Sequence, residues 1–207
     1  MPTNYCQELA YWFLRLHGFL LLDNFVMQES TSSAIGEIDL LAYRRVFVRQ
    51  GIGDALADSH DLFKEMQVGF NPDGSWAKDI AILVECKGGT CDVASLERAF
   101  SLNHLRAGFG RIGVASPDVL ENLALELTTN KSVLVENLVC AKLLVINEQR
   151  QQAKTIEDIA HVITTAEIDR FIKGRIQRYR ANKRAAWCLF PKDLFQLMIW
   201  SERNDHE

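Results

Sequence analysis

The sequence predicts an α/β chain organised on a mixed β-sheet, and three segments carry that expectation. Residues 4–17 place Tyr5, Leu9, Trp12, Phe13 and Leu16 at the spacing of one face of an amphipathic helix, with Gly18 as a natural stop. Residues 19–27 and 35–43 are apolar-rich runs separated by the polar stretch 28–33, the pattern of two paired strands. The clearest buried strand is 79–87, in which Ile80, Ala81, Ile82, Leu83 and Val84 run into Glu85-Cys86-Lys87 and halt at Gly88-Gly89.

The segment 44–79 reads as an insertion containing a hairpin, with β-rich pieces at 46–49 and 66–70 and a turn signal at Asn71-Pro72-Asp73-Gly74. Beyond the buried strand the pattern alternates: a helix over 93–106, a weak strand over 111–115, a helix over 117–127 and an apolar strand over 138–146. The tail predicts a helix over about 165–184 and a further apolar segment, 189–200, started or interrupted by Pro191. This divides the chain into an α/β core, 1–150, and a mainly helical C-terminal extension, 151–207, packed on it.

With 207 residues, 48% of them hydrophobic and 24% charged, the chain is long enough to bury one full core with a small addition. No export signal is read at the N-terminus and no apolar run is long enough to span a bilayer, so the expected location is the cytoplasm, away from membranes. The five cysteines are scattered without a Cys-x-x-Cys pair, which argues for reduced thiols in place of a disulfide framework or a zinc knuckle. A net charge of −4 excludes a protein that coats nucleic acid through overall basicity. Basic residues concentrate in one block, 170–184, whose helical spacing gathers Arg170, Lys173, Arg180 and Arg184 on a different face from the apolar stripe Ile168, Ile172, Ile176 and Tyr179. Such a face fits a phosphate backbone or, equally, plain solvent.

Alternation along a strand puts Glu85 and Lys87 on one side and Ile82, Val84 and Cys86 on the other. The same argument sets Glu37 and Asp39 together, opposite Ile38, Leu40 and Ala42. Carboxylates brought close repel one another unless a cation neutralises them, and a hard divalent ion such as Mg²⁺ takes one or two carboxylates with water and phosphate oxygens. A lysine on the same face can position water and stabilise charge growing on a phosphate. Taken alone, Glu85-x-Lys87 would read as a surface ion pair; it gains weight from Gly36-Glu37-Ile38-Asp39 upstream and from Glu8, which lies beside the apolar stripe of the first helix.

The run Gly36-Glu37-Ile38-Asp39-Leu40-Leu41-Ala42 followed by Val84-Glu85-Cys86-Lys87 resembles the PD-(D/E)XK nuclease superfamily, its restriction-endonuclease-like and Holliday-junction-resolvase-like branches above all. The resemblance spans roughly residues 4–146, with Ile38 standing where the superfamily name expects proline. It implies a restriction-endonuclease-like mixed sheet flanked by helices. It also implies a Mg²⁺ ion, replaceable by Mn²⁺, held by Asp39, Glu85 and the backbone carbonyl of Cys86, with Lys87 serving the nucleophile and Glu8 assisting. Asp79, just before the Glu-x-Lys strand, is a competing acid to Asp39. The expected activity is a metal-dependent deoxyribonuclease; the alternative is a catalytically silent nuclease-fold module that binds nucleic acid or serves as a protein-interaction subunit of a defence or repair system. The partners expected are DNA, a second copy of the chain, or a protein docked through 151–207.

Overall fold

The computed structural model of the chain describes residues 4–30, 33–46, 48, 61–72, 76–89, 91–147 and 156–178. Its framework is a six-stranded mixed sheet. Helix α1 (Tyr5–Leu16) leads into the antiparallel hairpin β1 (Leu20–Ser30) and β2 (Ser33–Arg44), and β2 pairs antiparallel with β3 (Asp79–Lys87). A short helix, α2 (Asp61–Glu65), precedes β3. Three helices follow it, α3 (Val93–Ala99), α4 (Leu102–Ile112) and α5 (Pro117–Thr129), then β4 (Ser132–Val135) and β5 (Leu138–Ile146). Strand β5 runs parallel to β3 along its whole length, from Asp79↔Leu138 to Lys87↔Ile146.

The far edge of β5 is shared by two short strands. Residues 138–141 pair antiparallel with β4, and residues 143–146 pair parallel with β6 (His161–Thr164), which feeds helix α6 (Thr165–Arg178). The segment after residue 150, expected as a helical extension, therefore also completes the core sheet.

Both faces of the sheet are covered. On one, Leu9, Trp12 and Phe13 of α1 and Ile168, Ile172 and Ile176 of α6 pack on Ile82, Val84 and Val145. On the other, Leu105 and Phe109 of α4 and Leu123 and Leu127 of α5 pack on Leu41, Leu83 and Leu144. Two buried faces explain why β3 over residues 80–84 and β5 on either side of Lys142 run as unbroken apolar stretches where a half-exposed strand would alternate.

The insertion before β3 is tied into the first of these layers. Leu62 and Phe63 of α2, with Met66, Val68 and Trp76, are buried there. Arg44 fixes it from the end of β2: its Nε donates to the His17 carbonyl at 2.7 Å and its guanidinium lies 3.7 Å from the Trp76 ring centre. Of the hairpin expected in this insertion, the β-rich piece at 66–70 contributes an isolated antiparallel bridge between Phe70 and Trp76. Residues 47, 49–60 and 73–75 lie outside the described residues.

Three further expectations are corrected. The helix over 93–106 is two helices, α3 and α4, broken at Phe100 and Ser101. No strand forms over 111–115, because α4 continues through Ile112 and closes on Gly113 at φ 71, with the Val114 amide donating back to the Phe109 carbonyl. A left-handed glycine ends a helix in this way, and alternating Ile112 and Val114 imitated a strand. Ile38 packs with Leu41 on the α4 side, although strict alternation would have put it with Leu40 on the α1 side.

At the junction of β4 and β6, the Lys142 amide donates to the Lys131 carbonyl at 2.9 Å, and the Lys142 side chain is 1% exposed with its ammonium 5.7 Å from the Phe100 ring centre. Burial lowers its pKa from 10.5 to about 8. The unfolded lysine keeps its ordinary proton affinity, so between pH 8 and 10.5 the unfolded state binds more protons and stability rises with pH. Lys142→Met is expected to stabilise the protein by roughly 2–3 kcal/mol at neutral pH. Denaturant titrations should show that advantage shrinking as the pH climbs through this window; an advantage independent of pH contradicts the depressed pKa.

Candidate metal and catalytic site

The regular geometry of β3 sets the first two side chains. Ile82, Val84 and Cys86 belong to the α1-side layer and Ala81 and Leu83 to the opposite one, so Glu85 and Lys87 project on the α4 side at the C-terminal end of the strand. There the Lys87 ammonium pairs with Glu85 Oε1 at 2.5 Å, the two side chains being 28% and 11% exposed. Burial disfavours the Lys87 charge, but the bond to Glu85 and the charges of Glu85 and Asp39 outweigh it and leave the pKa above the usual lysine value.

Asp39 reaches the same place from β2. Pairing between β2 and β3 runs from Arg44↔Ile80 to Leu40↔Val84 and stops there. Just beyond, the amide of Cys86, two residues past Val84, donates at 2.7 Å to Oδ2 of Asp39, one residue past Leu40, so the carboxylate fills the fork between two diverging strands. Burial, then the charge of Glu85, raise the Asp39 pKa from 3.8 to about 6, against the lowering effects of the Cys86 amide and Lys87. Two carboxylates and an ammonium thus converge at one end of the sheet, where an α/β fold commonly carries its ligands.

The remaining expected residues divide. Glu8 is buried, at 9% exposure, on the first turn of α1. Its neighbour Gln7 donates from Nε2 to the Asp39 carbonyl at 3.0 Å, so this turn of the helix lies against the site. Among the described residues, no group of three or more His, Cys, Asp or Glu side chains is gathered as a metal cluster, and the carboxylates brought together are Asp39 and Glu85. Glu37 is exposed on β2 and contributes a smaller charge that raises the Asp39 pKa further. The Cys86 thiol points into the α1-side layer, leaving only its backbone for the site.

Asp79 is excluded as a rival to Asp39. It opens β3 at the opposite end, where Oδ1 accepts from the Val46 amide at 2.7 Å and Oδ2 accepts from the Tyr43 hydroxyl and pairs with Arg45, both at 3.1 Å. His104 is likewise structural: Nδ1 bonds to the Arg98 carbonyl, and the ring lies so close over Gly36 that a Cβ there would come within 2.6 Å of Nε2. A side chain at Gly36 of the Gly-Glu-Ile-Asp run would have to displace that ring. Arg106 is exposed and paired with Glu121 at 3.2 Å.

On α6, Ile168, Ile172 and Ile176 form the buried stripe as expected. Arg170 is exposed, whereas Lys173 pairs with Asp169 at 3.2 Å beside the first turn of α1, where both charges act on the Tyr5 hydroxyl. Arg180 and Arg184, Tyr179 and the apolar segment 189–200 lie outside the described residues. Among the described residues, no helix is long and apolar enough to cross a membrane.

Sequence reasoning missed Gln7 and Asn24. Gln7 occupies the helix position beside Glu8 and carries no motif, while Asn24 (φ 51) is a left-handed residue inside β1, a conformation that only a coordinate structure reveals. Comparison of the chain with protein-family models, curated proteins and solved structures gives no match.

Because the Glu85 charge helps hold the Asp39 pKa up, Glu85→Gln is expected to lower it from about 6 toward the ordinary carboxylate range. A side-chain NMR titration of Asp39 in the two proteins measures this, and an unchanged midpoint would show that the carboxylates do not interact.

Proposed function

We propose that the chain is a Mg²⁺-dependent nuclease of restriction-endonuclease-like architecture that hydrolyses phosphodiester bonds in DNA. The observation that carries this reading is the meeting of Asp39, Glu85 and Lys87 at the fork between β2 and β3, with Asp39 held near a pKa of about 6. A carboxylate raised in this way by burial and a second acid is relieved by a cation, and an all-oxygen donor set suits a hard one.

The residues present fit such an ion. Asp39 uses Oδ2 on the Cys86 amide and Glu85 uses Oε1 on Lys87, which leaves one oxygen on each carboxylate. The Cys86 carbonyl opens toward the same strand edge as its amide, as backbone geometry in a strand requires. Mg²⁺ held there would supply neutralisation of phosphate charge and acidification of a water. Lys87, held by Glu85, orients that water against the scissile phosphate and stabilises charge on it. Glu8 lies one helix position from the contact with Asp39 and assists through water. Arg170 and Lys173 supply the described part of a basic surface for the DNA backbone, Lys173 after exchanging Asp169 for a phosphate.

Cleavage of plasmid and short duplexes by the purified chain, with and without Mg²⁺, tests the proposal. Glu85→Ala and Lys87→Ala are each expected to reduce Mg²⁺-dependent cleavage by at least about 10²-fold while the circular dichroism spectrum is retained. Activity surviving in either variant overturns the assignment. A wild-type chain that neither cleaves nor takes up Mg²⁺ in a calorimetric titration would instead be the silent nuclease-fold module.

A further inference from the structure

At Asp39, in the middle of β2, both neighbouring strands let go. Toward β3 the last paired residue is Leu40, and the Cys86 amide bonds to the Asp39 carboxylate instead of to the backbone. Toward β1 the pairs Asp23↔Leu40 and Phe25↔Ile38 flank a gap in which Asn24 stands opposite Asp39 but does not pair with it. Asn24 has φ 51, in the left-handed region that asparagine tolerates better than other side-chain-bearing residues.

Gln7 spans the gap. Its side-chain amide donates to Asn24 Oδ1 at 2.9 Å and to the Asp39 carbonyl at 3.0 Å. The residue is 4% exposed, so an amide this deeply buried has to be hydrogen-bonded. Its backbone is fixed as well, because the Gln7 amide donates to the Asn4 side chain that caps α1, at 2.8 Å.

We infer that Gln7 and Asn24 form a clamp that sets the position of the Asp39 carboxylate, replacing the ladder bonds that β2 gives up there. Gln7 is a positioning residue: it reaches the Asp39 backbone from α1, so the carboxylate meets the Cys86 amide and faces Glu85. This deepens the metal-site reading and, for its effect on metal affinity, rests on it. The same left-handed turn at Asn24 accounts for the change of side along the strands: Leu21 packs in the α1-side layer, whereas Phe25 and Met27 pack in the α4-side layer.

Two variants of the full chain separate the clamp from general packing. Gln7→Met keeps the length of the side chain and removes both donors. Asn24→Gly keeps the left-handed backbone and removes the acceptor. Hydrogen exchange at the Cys86 amide, compared with Ile82 and Val84 on the same strand, reads the carboxylate position without any metal. Mn²⁺ binding, followed by the loss of its free-ion electron spin resonance signal, reads the site. Gln7→Met is expected to speed Cys86 exchange at least about tenfold with Ile82 and Val84 unchanged, and to weaken Mn²⁺ binding by about tenfold. Asn24→Gly should act in the same direction and less, and the double variant should be no worse than Gln7→Met, since both act through one contact. Unchanged Cys86 exchange in Gln7→Met, acceleration shared equally by Val84, or strictly additive effects would overturn the clamp. A wild-type chain that binds no Mn²⁺ while Cys86 exchange responds as expected would overturn the metal site and leave the clamp standing.

Discussion

The bond from the Cys86 amide to the Asp39 carboxylate decides the form of this site, because it stands where a backbone bond would otherwise be. Past Leu40 and Val84 the two strands separate, and an amide left open at that point would lack a partner at a cost of about 1–3 kcal/mol. The carboxylate satisfies it, but only by leaving water beside a second carboxylate. Burial and the Glu85 charge together exceed what the Cys86 amide and Lys87 return, which is why Asp39 sits near a pKa of about 6. The fork is thus closed by a group that the surrounding fold does not fully neutralise, and this remainder is what a cation would supply.

The two ends of β3 hold their acids in contrasting surroundings. Asp79 and Glu85 lie on the same strand, six residues apart by sequence number. Asp79 is surrounded by donors, a backbone amide, a phenol and a guanidinium, which together stitch the end of β2 to the start of β3. Glu85 has one ammonium and faces another carboxylate. Arg44 strengthens the contrast, for its buried guanidinium donates from Nε to the His17 carbonyl and from Nη2 to the Val48 carbonyl and lays its face on Trp76, tying the insertion to that end of the sheet. The opposite end is left to Gln7, Asn24 and Cys86.

How much could be read from the sequence follows from how regular each element is. Strands β3 and β5 were legible to the residue because both are buried on two faces and bounded by glycine or turn residues, and strand parity then fixed Glu85 and Lys87. Parity failed at Ile38 because the alternation it assumes is interrupted at Asn24 and Asp39, where Gln7 of α1 bonds to both. Strands β4 and β6, four residues each, are too short to carry a period, and both borrow their pairing from β5. On α6 the buried isoleucines were visible from their spacing, whereas the ion pair that occupies Lys173 depends on Asp169, just outside the block of basic residues. Gln7 shows a further blind spot: beside Glu8, an uncharged amide carries no motif, yet its side chain bonds to the Asp39 carbonyl and to Asn24.

Precision at the site therefore comes from two different sources. Glu85 and Lys87 inherit theirs from the sheet, since Glu85↔Leu144 and Lys87↔Ile146 hold the end of β3 against a fully buried strand. Small shifts in that part of the core would move the acid and the lysine together and preserve their pairing. Asp39 has no such support, because it is paired neither with β3 nor with β1. Its placement depends on a few polar bonds running from the cap of α1 through Gln7 to the carbonyl and from the carboxylate to Cys86. The relative position of the two carboxylates, the quantity that matters for holding a cation, is consequently set by the docking of α1 as much as by the sheet that carries them.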